Sequence, residues 1–240
     1  MLRKIKSQIP VKNLIQTLLF FLLIPQINFS QWVQTSGPYG GNVKILAALT
    51  NEMGGTNLFA GSDAGVFLST NNGTSWIRVN TPFSNFSQMV RLGSKFFAGT
   101  DKGVFFSTND GASWSASNYK LPNTNVNALA VLDTNIFAGT GSGVFISTNN
   151  GGNWSLASEG LPKYSSDTTQ YENVSCLTIS PDDNGIKNLF AGTSEGVFLS
   201  TNSGKSWFLA SKGLPTSSDT LYSDTIQYPQ YHFLCSTLFS

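Results

Sequence analysis

Histidine occurs once in the 240 residues, at His232, and cysteine twice, at Cys176 and Cys235. One imidazole argues against a His-rich metal centre and a conventional Ser-His-Asp triad. Two cysteines are too few for a disulfide scaffold or a Cys-based zinc site. Charge is scarce as well: 14 Lys+Arg and 13 Asp+Glu make 11% of the chain, against about a quarter in an ordinary soluble protein. That balance excludes an acidic disordered tail, a coiled coil and a basic nucleic-acid binder. No window outside the first thirty residues sustains a helical period. What replaces the missing charge is Ser, Thr, Asn, 23 Gly and 18 Phe at a normal hydrophobic share of 40%, the composition of turns and exposed β surface.

The N-terminus stands apart. Arg3, Lys4, Lys6 and Lys12 precede an apolar run, Leu14 to Ile24, that ends at Pro25. A basic segment before an apolar stretch too short to span a bilayer comfortably reads as a secretory signal peptide, residues 1–30, which predicts a secreted or cell-surface protein. Without it the chain carries 10 basic and 13 acidic residues. The electrostatic case for nucleic acid or anionic lipid is then gone, and no membrane span is expected after signal removal.

The rest is a repeat. Four segments align without gaps: LFAGSDAGVFLSTNNGTSW (58–76), FFAGTDKGVFFSTNDGASW (96–114), IFAGTGSGVFISTNNGGNW (136–154) and LFAGTSEGVFLSTNSGKSW (189–207). Within each, the FAG run and the GVF run read as strands joined by a Ser/Thr-x-x-Gly turn. A second turn, Thr-Asn-x-Gly-x-x-Trp, leads to a further strand after Trp, and an apolar strand precedes each FAG run. Four strands in about 40 residues, repeated, predict an all-β fold of β-propeller blades, each of four antiparallel strands. The blades fall at about 42–80, 88–121, 125–161 and 173–214, within a propeller region of 31–240. Residues 232–240 resemble the first strand of a fifth. Four blades and a stub imply an open or truncated ring, with self-association through open edges as the alternative way to close it.

Ser69-x-Asn71-x-Gly73-x-x-Trp76 resembles the Asp-box, or bacterial neuraminidase repeat. It recurs at Ser107, Asn109, Gly111 and Trp114, at Ser147, Asn149, Gly151 and Trp154, and at Ser200, Asn202, Gly204 and Trp207. The resemblance implies a propeller of the sialidase, sortilin and photosystem II assembly-factor-like group. It also implies that these residues are structural, on the face opposite the ligand site. In such a hairpin the Asn side chain closes an Asx-type turn, Gly supplies a positive φ, and Trp packs beneath. Asn at all four positions disfavours a calcium site, so no metal and no cofactor are expected.

The resemblance implies that ligands bind on the face shared by the turn between the second and third strands and by the connections between blades. The carboxylates of those turns are Asp63, Asp101 and Glu195. They would serve as an acid/base pair only if two lay within about 5–9.5 Å of each other; turn formation is the simpler reading. The two longer connections bring Tyr164, Tyr171, Tyr222, Tyr228 and Tyr231, and such loops suit glycan or peptide recognition unless they merely pack on each other. Cys176 and Cys235 fall at matching inner-strand positions, too far apart for the roughly 4.4–6.8 Å Cα separation of a disulfide, which favours two buried thiols.

Three functions compete. The first is a secreted, non-enzymatic propeller that binds an extracellular protein or glycan. The second is a fragment of a glycoside hydrolase. A sialidase is disfavoured, because the resemblance requires an arginine triad and only Arg78 and Arg91 follow the signal. The third is a structural blade array within a longer cell-surface chain.

Overall fold

A computed structural model describes residues 37–38, 41–122, 125–164 and 167–214. Residues 1–30, expected to be a signal peptide, residues 232–240, expected to begin a fifth blade, and Tyr222, Tyr228, Tyr231, His232 and Cys235 lie outside the described residues.

Four antiparallel sheets follow one another along the chain, each in sequential strand order. Blade 1 comprises β1 (Val43–Thr50), β2 (Thr56–Ser62), β3 (Gly65–Ser69) and β4 (Ile77–Arg78). Blade 2 comprises β5 (Gln88–Leu92), β6 (Lys95–Thr100), β7 (Gly103–Ser107) and β8 (Ser115–Ala116). Blade 3 comprises β9 (Val126–Leu132), β10 (Asn135–Thr140), β11 (Gly143–Ser147) and β12 (Ser155–Leu156). The connection after it carries an extra hairpin, β13 (Lys163–Tyr164) and β14 (Asp167–Tyr171), where the sequence suggested only a loop. Its Thr-Thr-Gln-Tyr run is rich in strand formers, which accounts for the pairing. Blade 4 comprises β15 (Val174–Pro181), β16 (Lys187–Thr193), β17 (Gly196–Ser200) and β18 (Phe208–Leu209).

The first strands of successive sheets lie beside one another, β1 by β5, β5 by β9 and β9 by β15, as the inner strands of a propeller do. The fourth strands are two residues long and exposed. Short outer strands leave little unpaired backbone for a foreign strand to join.

The cores sit between the sheets. One cluster joins blades 1 and 2 through Phe59, Phe96, Phe105 and Trp114. Another joins blades 2 and 3 through Phe97, Leu129, Phe145 and Trp154, and a third joins blades 3 and 4 through Phe137, Leu177, Phe198 and Trp207. The strands of blades 2 and 3 are therefore covered on both faces, which explains their nearly unbroken apolar runs. Each buried Phe contributes about 1.5–3 kcal/mol relative to an exposed one.

The FAG motif is explained by these interfaces. Phe59, Phe97 and Phe137 are fully buried, and each lies under the hairpin glycine of the next blade. A Cβ on Gly111, Gly151 or Gly204 would meet those rings at 2.3, 2.7 and 2.6 Å respectively. The glycine of FAG admits the next inner strand: a Cβ on Gly99 would lie 2.8 Å from Val126, and one on Gly139 2.9 Å from Val174. Phe190, with no fifth blade among the described residues, is only half-buried.

Candidate functional site

Each Ser-x-Asn-x-Gly-x-x-Trp hairpin is held by the same bonds. Ser69 Oγ donates to Asn71 Oδ1 at 2.9 Å and accepts from the Gly73 amide at 2.9 Å. Asn71 Oδ1 also accepts from the Ser75 amide at 3.0 Å. The set repeats around Asn109, Asn149 and Asn202. Asn72 and Gly73 both have positive φ, 54° and 80°, and the Thr74 amide bonds Asn71 O, the pattern of a type I′ turn. The residue before each glycine (Asn72, Asp110, Asn150, Ser203) thus shares the left-handed burden. The Asn-Gly and Asp-Gly dipeptides carry that signal in sequence. All four Asn side chains are committed to their own turns, and no cluster of metal-ligating side chains occurs among the described residues.

The tryptophans reach further than their own turns. Trp154 Nε1 donates to Ser117 O of blade 2 at 2.6 Å, and Trp207 Nε1 to Ala157 O of blade 3 at 2.7 Å. Their backbone amides bond Tyr119 O and Glu159 O, so blades 2–3 and 3–4 are joined by a polar seam. Trp114 instead donates to Gly111 O in its own hairpin, and Trp76 Nε1 is buried without a partner.

Just after each Trp, a second device recurs in blades 2, 3 and 4. The residue four places on (Asn118, Ser158 or Ser211) accepts from the amide of Val104, Val144 or Val197, at 2.7, 2.9 and 2.9 Å. That residue begins a turn in which its carbonyl accepts from the amide of Leu121, Leu161 or Leu214. The third turn residue has positive φ: 62° at Lys120, 89° at Gly160, 86° at Gly213, as a type II turn requires. Blade 1 has Pro82 at this place. Proline's ring fixes φ near −65°, so the turn cannot form. Asn80 is accordingly exposed and makes no hydrogen bond among the described residues. The Val66 amide is left without the side-chain acceptor that its three counterparts have.

A groove opens where that device is missing. It has a volume of about 410 Å³ and is lined by the β2–β3 turn (Asp63–Gly65), by residues 78–84 and by Lys102. Arg78 lies across Gly65, its Nε and Nη2 each 3.3 Å from where a Cβ would stand. Lys102 Nζ donates to Pro82 O at 3.3 Å. Phe83 and Val79 are buried beneath, Phe83 packing on Trp114 and Phe105 with ring centroids 5.7 and 5.0 Å apart. The groove therefore offers mainly polar and cationic atoms to solvent.

Of the carboxylates singled out in the sequence, Asp63 lines this groove and is ion-paired with Lys44. Asp101 is exposed in the β6–β7 turn and does not line it, although the next residue, Lys102, does. Glu195 is exposed in the corresponding turn of blade 4. These turns are closed by hydroxyls: Thr100 Oγ1 donates to Gly103 O at 2.8 Å and accepts from the Lys102 amide at 3.0 Å. Ser62, Thr140 and Thr193 act alike. Tyr164 and Tyr171 belong to the β13–β14 hairpin. Tyr164 is exposed; Tyr171 is half-buried, 5.0 Å from Lys163 Nζ, and lines a smaller cavity of about 240 Å³ beside Glu159 and Lys205. Cys176, in β15, is half-buried. Arg78, Asn80 and Lys102 were not singled out as site residues in the sequence; the proline at position 82 was the signal that could have found them.

No protein-family model matches the chain, and no curated protein does. Among solved structures, it is similar to an ancestral GH74 enzyme, 26% identical over 70% of this chain and 24% of that one, with TM-score 0.56. It is also similar to the GH74 xyloglucanase from Xanthomonas campestris, 14% identical, covering 73% and 31%, TM-score 0.52. A third likeness is to the extracellular domain of a one-component system from B. thetaiotaomicron, 18% identical, covering 80% and 24%, TM-score 0.57. The chain spans between about a quarter and a third of these structures' lengths. By these likenesses and by its own sheets, the protein is a β-propeller module.

Proposed function

We propose that this is an extracellular, Asp-box-type β-propeller module that binds glycan at the groove between blades 1 and 2. The observation that carries the reading is the groove itself, which forms where one blade departs from a device the other three keep. It lies on the face of the β2–β3 turns and interblade connections, where loops can vary on a rigid scaffold. The extracellular setting is supported by the signal-like N-terminus and by the likeness to an extracellular sensor domain and a GH74 enzyme.

Binding without hydrolysis is favoured over glycosidase activity. Hydrolysis by paired carboxylates needs two of them facing one sugar bond. Asp63 is the one carboxylate lining the groove among the described residues, and Lys44 holds it. The deciding experiment incubates the secreted chain with a panel of plant and bacterial-surface oligosaccharides, reading binding by calorimetry and cleavage by chromatography. Binding with no cleavage is expected. Cleavage abolished by Asp63→Asn or Asp101→Asn would replace this reading with the hydrolase one.

A further inference from the structure

The charged side chains that line the groove of blade 1 are Arg78, Lys102 and Asp63. Arg78 has no carboxylate partner among the described residues, and Lys102 is bound only to a backbone carbonyl. The one lining carboxylate, Asp63, is ion-paired with Lys44. Two cations thus stand unpaired in a concave site, on a chain whose residues after position 30 carry more acid than base. Beside them, the Val66 amide lacks the oxygen acceptor that Asn118, Ser158 and Ser211 supply in the other blades.

From these features we infer that the groove recognises the anionic group of an acidic saccharide, a uronate carboxylate or a sulfate ester. The inference rests on the glycan-binding reading and specifies its ligand class. A planar guanidinium suits a bidentate pairing with carboxylate or sulfate oxygens, and the ammonium of Lys102 adds a point charge from the other wall. One ligand oxygen takes the acceptor place at the Val66 amide, with the Arg78 side chain lifting from Gly65 to admit it. Asn80 and Thr81 remain for sugar hydroxyls. A saccharide fits this lining better than an acidic peptide, because Val66, Val79 and Phe83 are buried and only Ala64 and Pro82 of the apolar lining reach solvent, too little to form a pocket for peptide side chains. The volume of about 410 Å³ lies within the ordinary range for small-ligand sites.

The test is calorimetric titration of the full secreted chain with four probes. These are trigalacturonate, a sulfated trisaccharide, neutral cellotriose and a hexaglutamate peptide. The expected result is binding of trigalacturonate, the sulfated trisaccharide or both, and at least tenfold weaker binding of cellotriose. The two acidic arms tell carboxylate from sulfate as the source. Arg78→Ala and Lys102→Ala are each expected to weaken binding about tenfold, the size of a lost charge-assisted hydrogen bond. Arg91→Ala should leave binding unchanged, since Arg91 bonds Gly93 O and Asn51 O away from the groove. Arg78→Lys should recover part of the affinity lost in Arg78→Ala, and circular dichroism verifies that each variant is folded. Equal binding of cellotriose and trigalacturonate would overturn the anion inference and leave glycan binding standing. Binding of hexaglutamate with no saccharide bound, or of none of the four probes, would remove both.

Discussion

Blades 3 and 4 add a backbone seam to their apolar interface, whereas blades 1 and 2 meet chiefly across aromatic rings. In the first junction Trp207 donates through both its amide and its indole to the connection of blade 3, and Gly160 lies tight against the Trp207 backbone. Ser158 fills the space at the strand end. In the second, Phe83 and Phe86 supply the contact, Trp114 keeps its indole bond at home, and the space at the strand end stays open as a groove. Asn57 Nδ2 to Asp110 O, at 2.9 Å, is a polar bond across that junction. One repeat can therefore be closed with a hydrogen-bonded seam over its packed core or with further aromatic rings instead, and the aromatic version leaves the polar positions near the rim available to a ligand.

The comparison can be broken most severely at Phe83. Phe83→Ala should lower unfolding stability by about 3–5 kcal/mol, because a buried ring against Trp114 and Phe105 is lost; urea denaturation followed by tryptophan fluorescence reads it. The seam is tested by its indoles. Trp207→Phe should cost about 2–3 kcal/mol, since it also leaves Ala157 O without its donor. Trp76→Phe should cost about half as much, because its Nε1 has no acceptor to abandon. A smaller contrast lies at the strand ends. Ser158→Ala removes the acceptor for Val144 and should cost about 1 kcal/mol, against less than about 0.5 kcal/mol for Asn80→Ala. Equal costs for these two would mean that Asn80 holds a bond like that of Ser158. At Pro82 two opposing effects nearly cancel. Pro82→Gly should stay within about 1 kcal/mol, the lost rigidity of proline being offset by the restored turn. That variant should also bring Asn80 onto the Val66 amide and weaken ligand binding, a change calorimetry would detect.

Much of the fold was legible because a blade is local. Its four strands lie within about 40 residues, each turn is signed by Asn-Gly, Asp-Gly or a Ser/Thr-x-x-Gly run, and the pattern occurs four times. Legibility ended where one blade touches the next. Phe59 and Gly111, or Phe137 and Gly204, are more than fifty residues apart and obey no short-range spacing. The tryptophans looked like parts of their own hairpins, and two of them proved to bond the preceding blade. The conspicuous acids followed a similar course. Asp101 and Glu195 are exposed turn residues, while the less conspicuous Arg78 and Lys102 converge on the groove.

By itself the sequence determined the blades, since strand propensity, alternating turns and hydroxyl-closed hairpins act over a few residues and repeat. The tertiary structure alone decided which junction opens. A proline at position 82 is one ordinary loop residue until the other three connections are seen to need positive φ at that place. Only the packed neighbours show that excluding this conformation removes an acceptor from a strand end. The physical reason is one of range: backbone conformation is set by adjacent residues, whereas a groove is set by what two distant segments fail to fill.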